Sequence, residues 1–143
     1  MSGYSTTPLA RKLGIRDEGR LLLLGAPAGF EVLLEPLPSG ARRVRANADF
    51  DVAVVFVTRA AAARDRIAQL EPRLISGARL WICWPKKASG MKSDCTFDLV
   101  QAAGLETGLV DTKVCAVDET WSGLCFMRRR ADPRHSTRDA DER

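Results

Sequence analysis

The chain has 143 residues, 45% of them apolar and 28% charged, the composition of an ordinary globule with room for one domain. No run approaches the roughly 20 apolar residues of a membrane span. Met1–Leu9 has no apolar core for a signal peptide, so a cytoplasmic protein with no membrane partner is expected. The net charge of +4 divides evenly: residues 128–143 hold six arginines against four acids, and residues 1–127 hold 16 basic residues against 14 acidic ones. A nearly balanced body lacks the broad basic face that phosphate-backbone binding needs, which argues against a nucleic-acid partner.

Residues 1–19 read as a leader in which Thr7–Gly14 makes a short helix, with Thr7 as cap, Pro8 at the first position and Gly14 as the stop. Residues 20–128 read as a single α/β domain. Arg20–Ala26 contains four consecutive leucines, the pattern of a strand covered on both faces. Pro27-Ala28-Gly29 turns into a helix over Phe30–Leu37, closed by Pro38-Ser39-Gly40. Arg42–Ala46 is a short polar strand near an edge, and Asp51–Thr58 is the clearest strand. Arg59–Leu74 predicts a helix that buries Ile67, Leu70 and Leu74 and keeps Arg64, Asp65, Arg66 and Arg73 in water. Ala78–Trp84 is a strand. Ser93 or Asp94 then caps a helix over Cys95–Ala103, with Phe97, Leu99 and Val100 facing in and Gly104 as its stop. Two strands, about Leu109–Val117 and Ser122–Arg128, form a hairpin whose last strand is an antiparallel edge. Residues 129–143 predict a disordered charged tail.

Alternation of strands and helices implies parallel pairing with right-handed crossovers. Closed by a hairpin, the mostly parallel sheet resembles a trimmed Rossmann-like fold of the class I methyltransferase type.

Strand carboxyl ends are where ligands collect in such a sheet. The first of these turns is Gly25-Ala26-Pro27-Ala28-Gly29, where only the outer glycines, Gly25 and Gly29, fit a nucleotide cofactor loop. Pro27 removes a backbone donor, and Arg45-Ala46-Asn47 stands where an acid would hold ribose hydroxyls. Standard adenosylmethionine use is disfavoured, and no cofactor is expected. Trp84–Ser93 carries more content: Pro85 ends ladder pairing, and Lys86, Lys87 and Lys92 lead into a helix start, an anion-binding arrangement that Arg59 can join. The same lysines also fit plain exposed loop charges. In the hairpin tip, Asp118, Glu119 and Trp121 face those lysines. They read either as ion pairs and a brace for the turn, or as an acid/base pair, Asp118 and Glu119, under a lid formed by Trp121.

The four cysteines, 83, 95, 115 and 125, lack metal-ligand spacing, and the only histidine is His135 in the tail, so no metal site is expected. A Ser-His or Cys-His nucleophile pair is excluded from the body, leaving Asp, Glu, Lys or Tyr4 for any proton transfer. A hairpin turning at Thr120 places Cys115 opposite Cys125, most simply as two packed thiols in a reducing compartment.

Ser2-Gly3-Tyr4-Ser5, Thr7–Ala10, the run Leu21–Phe30, Trp84-Pro85-Lys86-Lys87 and Val110–Leu124 together resemble a family of small bacterial proteins of unknown function, over about residues 2–128. Met91–Phe97 departs from its pattern. The resemblance implies a bacterial single-domain protein and brings no activity with it. The residues point to a non-catalytic module holding an anionic small molecule or a protein partner at the strand carboxyl ends. An atypical transferase with a degenerate cofactor loop is the alternative.

Overall fold

A computed structural model describes residues 7–129. Tyr4, His135 and nearly all of the charged tail lie outside that range. The chain runs α1 (Leu9–Lys12), β1 (Arg20–Leu24), α2 (Phe30–Leu33), β2 (Arg42–Arg43), β3 (Val52–Phe56), α3 (Ala60–Leu70), β4 (Arg79–Pro85), α4 (Phe97–Glu106), β5 (Val110–Ala116) and β6 (Trp121–Met127). One six-stranded sheet has the order β2-β1-β3-β4-β6-β5. β2, β1, β3 and β4 are parallel, and β6 is antiparallel to both β4 and β5. The antiparallel strand is therefore not at the edge, as the sequence implied. β6 fills the slot beside β4 and leaves β5 outside, because β6 is the strand with apolar residues for both faces: Leu124, Cys125 and Phe126 are all buried, whereas β5 exposes Thr112, Lys113 and Val114.

Two apolar layers cover the sheet. On one face, α3 and α4 pack Ala63, Ile67, Leu70, Val100 and Ala103 over Leu22, Val55, Leu80 and Ile82. On the other, α1, α2 and the hairpin tip enclose Leu21, Leu23, Val54, Trp81 and Cys83. The leucine run of β1 thus divides between the two layers by strand alternation. The leader belongs to the packed structure: the buried Trp81 indole Nε1–H donates to the Leu13 carbonyl at 2.8 Å.

Several elements are shorter than the sequence reading. Pro8 sits at the cap position of α1 in place of Thr7, and α2 stops at Leu33 because Pro36 and Pro38 follow. β1 ends at Leu24, where Gly25 takes φ +70 and its Cα lies so near β3 that a Cβ would stand 2.8 Å from the Phe56 carbonyl oxygen. Pro72 ends the regular part of α3 at Leu70, and a 3₁₀ turn, Glu71–Arg73, carries the chain to buried Leu74. Arg73 is not free in water: its guanidinium donates to the Ala46 and Ala48 carbonyls at 2.9 and 2.8 Å and lies over the Phe50 ring. Arg128 likewise belongs to the body, ion-paired with Glu71 at 2.7 Å.

α4 shows the largest shift. It begins at Phe97 with Thr96 as cap, whose hydroxyl accepts from Leu99 N at 3.2 Å. Its inward stripe is therefore Val100, Ala103 and Gly104, while Phe97 and Leu99 are 37% and 49% exposed. Gly104 is no stop signal; it is a buried contact point for the Phe126 ring.

Candidate functional site

The carboxyl ends of β1, β3, β4 and β5 share one edge, and β6 begins there. Every residue singled out from the sequence for binding lies along this edge or in the loops leaving it.

The β4 end and the hairpin tip meet. Pro85 stands opposite Trp121, the last pair of the β4–β6 ladder. Lys86 N then donates to the Thr120 carbonyl, and Lys86 Nζ donates to the Asp118 carbonyl, both at 2.8 Å. The partner of the ammonium is main chain, because the Asp118 carboxylate is turned inward on its own turn. Its Oδ1 accepts from Thr120 N and Trp121 N, each at 2.8 Å. This is an Asx-type turn, in which a short side chain supplies the acceptor that the bend needs. Trp121 is 7% exposed, and its ring stacks edge-on against Phe56 at 5.0 Å, which in turn meets Phe30 at 4.8 Å. Trp121 therefore braces the hairpin from below and is no lid. Glu119 is exposed at the tip, and Lys87 is exposed at the start of a 3₁₀ turn, Lys87–Ser89.

Arg59 and Lys92 come together elsewhere on the same edge. With Thr58, Ser93 and Asp94 they line an open, mainly polar cavity of about 370 Å³ between the β3–α3 turn and the β4–α4 loop. Asp94, one of the two residues expected to cap α4, instead accepts from Ala60 N at 2.7 Å and so caps α3, tying the two loops. Two cations, one carboxylate and two hydroxyls surround the space. That set can grip a negatively charged group on the arginine and lysine, and accept a hydroxyl proton on Asp94. Asp94 was legible as a helix cap, but which helix it caps depends on the fold.

The first turn has an ion pair beside it. Arg43, at the end of β2, reaches back across the β1 terminus to ion-pair with Glu31 of α2, and its guanidinium also donates to the Leu23 carbonyl. Gly29 takes φ +83 at the start of α2, with Pro27 two residues before it. Gly25 and Gly29 thus form a turn with an Arg–Glu bridge beside it, a pairing not legible in the sequence, since neither Arg43 nor Glu31 belongs to a motif.

Among the described residues no group of three or more His, Cys, Asp or Glu side chains stands ready to hold a metal ion, and no helix is long and apolar enough to cross a membrane. All four cysteines are free. Cys115 pairs with Gly123, and Cys125 with Lys113, because the hairpin centres on Glu119 and not on Thr120. The two thiols are therefore diagonal neighbours and not opposite. Burial pushes the Cys83 thiol well above its usual range and raises Cys95, Cys115 and Cys125 as well, which leaves them poor nucleophiles.

Comparison with known proteins gives fold and not family. No family model matches the chain, and no curated protein matches it in sequence. Solved structures do match. A methyltransferase from Pyrococcus furiosus aligns with TM-score 0.58 at 16% identity, covering 89% of this chain and 85% of its own. A ribosomal protein L11 methylase from Lactobacillus delbrueckii subsp. bulgaricus aligns with TM-score 0.57 at 12% identity, covering 85% of this chain and 75% of its own. The fold is methyltransferase-like. Aeropyrum pernix fibrillarin, solved with natively bound S-adenosyl-L-methionine, aligns with TM-score 0.54 at 11% identity, over 87% of this chain and 70% of its own. The expected Rossmann-like sheet with its terminal hairpin is thus borne out; at these identities the likeness extends no further than the fold.

Proposed function

We propose that this chain is a small cytoplasmic protein of methyltransferase-like fold that binds an anionic, hydroxyl-bearing small molecule, of the sugar-phosphate class, at the carboxyl edge of its sheet. The observation that carries this reading is the cavity of Thr58, Arg59, Lys92, Ser93 and Asp94, which gathers two cations and three hydroxyl-compatible groups. Arginine and lysine bind the anion, and Asp94, already fixed by Ala60 N, orients the hydroxyls. Lys87 adds charge at the rim; Lys86 has one of its three donors spent on the hairpin. Four free thiols suit a reducing compartment. The motif resemblance supports a bacterial source.

Methyl transfer is the second reading, and the likeness to methyltransferases favours it over a purely binding role. In that reading Glu119, exposed and without a partner among the described residues, is the base, since the Asp118 carboxylate is spent on its turn. Against it stand Pro27 in the first loop and the Arg43–Glu31 bridge beside the β1 end, which place a proline and a paired guanidinium where a cofactor would approach. Calorimetric titration separates the two readings. Binding of ribose 5-phosphate that is lost in Arg59→Ala supports the module, and tight binding of adenosylmethionine supports the enzyme.

A further inference from the structure

We propose that the opposite, amino edge of the sheet carries a second anion site, formed by Arg11, Arg16 and Arg79, that takes a phosphate-bearing small molecule. β4 starts at Arg79 and ends at Pro85, so this edge lies about 20 Å from the lysine-bearing one.

The three arginines line an open cavity of about 400 Å³, together with Gly14, Ile15, Asp17 and Pro38. Their convergence is built into the fold. Gly14 takes φ +90, and a Cβ there would overlap the Arg79 side chain, so only glycine lets Arg79 pass under the leader. Trp81 Nε1–H holds the Leu13 carbonyl at 2.8 Å, and Ile15 N donates to the Ala10 carbonyl at 3.0 Å. These two bonds anchor the leader segment that carries Arg11 and Arg16 beside the start of β4.

The charges are not spent. Arg20, Arg43, Arg64 and Arg128 each have a carboxylate partner, but among the described residues Arg11, Arg16 and Arg79 have no ion pair. The Cys125 thiol near Arg79 is raised by burial and so offers it no charge. Of the acids that border the adjoining cavity with Arg16 and Arg79, namely Asp17, Glu18 and Asp51, Asp51 is held by Arg20. Asp17 alone lines the cavity, leaving three cations against one acid. Like charges gathered without partners repel, and a dianion removes that repulsion while offering oxygens to planar guanidinium forks. A phosphate group fits better than a single carboxylate, which brings one charge to three donors. Pro38, half-buried at the rim, gives an organic body an apolar contact.

The test is calorimetric titration of inorganic pyrophosphate, inorganic phosphate and glycerol 3-phosphate into the full chain at low salt. Arg11 and Arg16 are exposed, so Arg11→Ala and Arg16→Ala should keep the wild-type melting profile. Each should weaken pyrophosphate binding about tenfold or more, and the double variant should abolish it. Arg59→Ala with Lys92→Ala should leave it unchanged, which separates this site from the carboxyl-edge one. Tighter binding of the ester than of inorganic phosphate identifies an organic ligand; equal binding identifies the free anion. No pyrophosphate binding by the wild type, full binding by Arg11→Ala/Arg16→Ala, or loss confined to the Arg59/Lys92 variant would each overturn the assignment.

Discussion

Lys86 and Asp118 are joined through the main-chain carbonyl of the aspartate, while the aspartate's carboxylate holds the two amides that follow it. Charge attraction therefore has little to do with this contact; the lysine ties the hairpin tip to the end of β4, and the aspartate shapes the tip. Asp118→Ala should cost about 1–2 kcal/mol, because two partly buried N–H groups lose their acceptor. Asp118→Asn keeps an acceptor and should cost clearly less. Urea unfolding of both variants checks this, and equal losses would show that the charge matters more than the turn.

Gly104 and the Phe126 ring occupy space that a single methyl group would contest. Both are buried, Phe126 at 0% exposure, and a Cβ on Gly104 would stand 2.1 Å from the ring's Cε1, so the ring or the helix must shift to admit it. Gly104→Ala should destabilise by about 1–3 kcal/mol despite alanine's better helix propensity. Phe126→Leu with Gly104→Ala should recover part of the loss. A double-mutant cycle by chemical denaturation reads the coupling, and a stabilising Gly104→Ala would mean the helix sits further from the sheet.

The sheet was legible in this sequence wherever apolar runs carried it. The leucines of β1, the β-branched run of β3 and the aromatic run of β4 can only be strands covered on two faces, and their order with the intervening helices implied parallel pairing. What stayed hidden depends on partners distant in sequence. Asp94 reads as the cap of the helix just after it, yet it caps α3, because loop closure brings it to Ala60 N. Trp121 reads equally as a lid or as a brace for the turn, and the choice rests on Phe56 and Phe30, which lie beneath it. Arg59 and Lys92 stood out as charges, but only the fold shows that they share a cavity while Lys86 turns to the hairpin. The arginines of the amino edge sit in two segments far apart in the chain, the leader and the start of β4, and form no motif at all.

Arg20 and Asp51 stitch the starts of β1 and β3. The Arg20 main chain donates at 2.8 Å, and its guanidinium donates at 3.1 and 3.0 Å. The guanidinium's hydrogen bonds hold the Asp51 carboxyl below the usual carboxylate range. A lowered folded-state pKa means that the native protein binds fewer protons than the unfolded chain. This stabilisation is thus present above the unfolded value of about 3.9 and lost as pH falls through the lower native one. Both side chains are about a third exposed or more, at 33% and 40%, so solvent screening keeps the effect small. Urea midpoints from pH 6 down to pH 2 should fall less steeply for Asp51→Asn than for wild type; parallel curves would contradict the assignment.

The central claim is that the carboxyl edge binds an anion through Arg59 and Lys92 and does not hold adenosylmethionine at the first loop. Titrating ribose 5-phosphate and adenosylmethionine separately into the full chain by calorimetry tests it most directly. Heat from the sugar phosphate that disappears in Arg59→Ala/Lys92→Ala, with no heat from adenosylmethionine, is the predicted result. Saturable adenosylmethionine binding that survives the double variant would contradict the account.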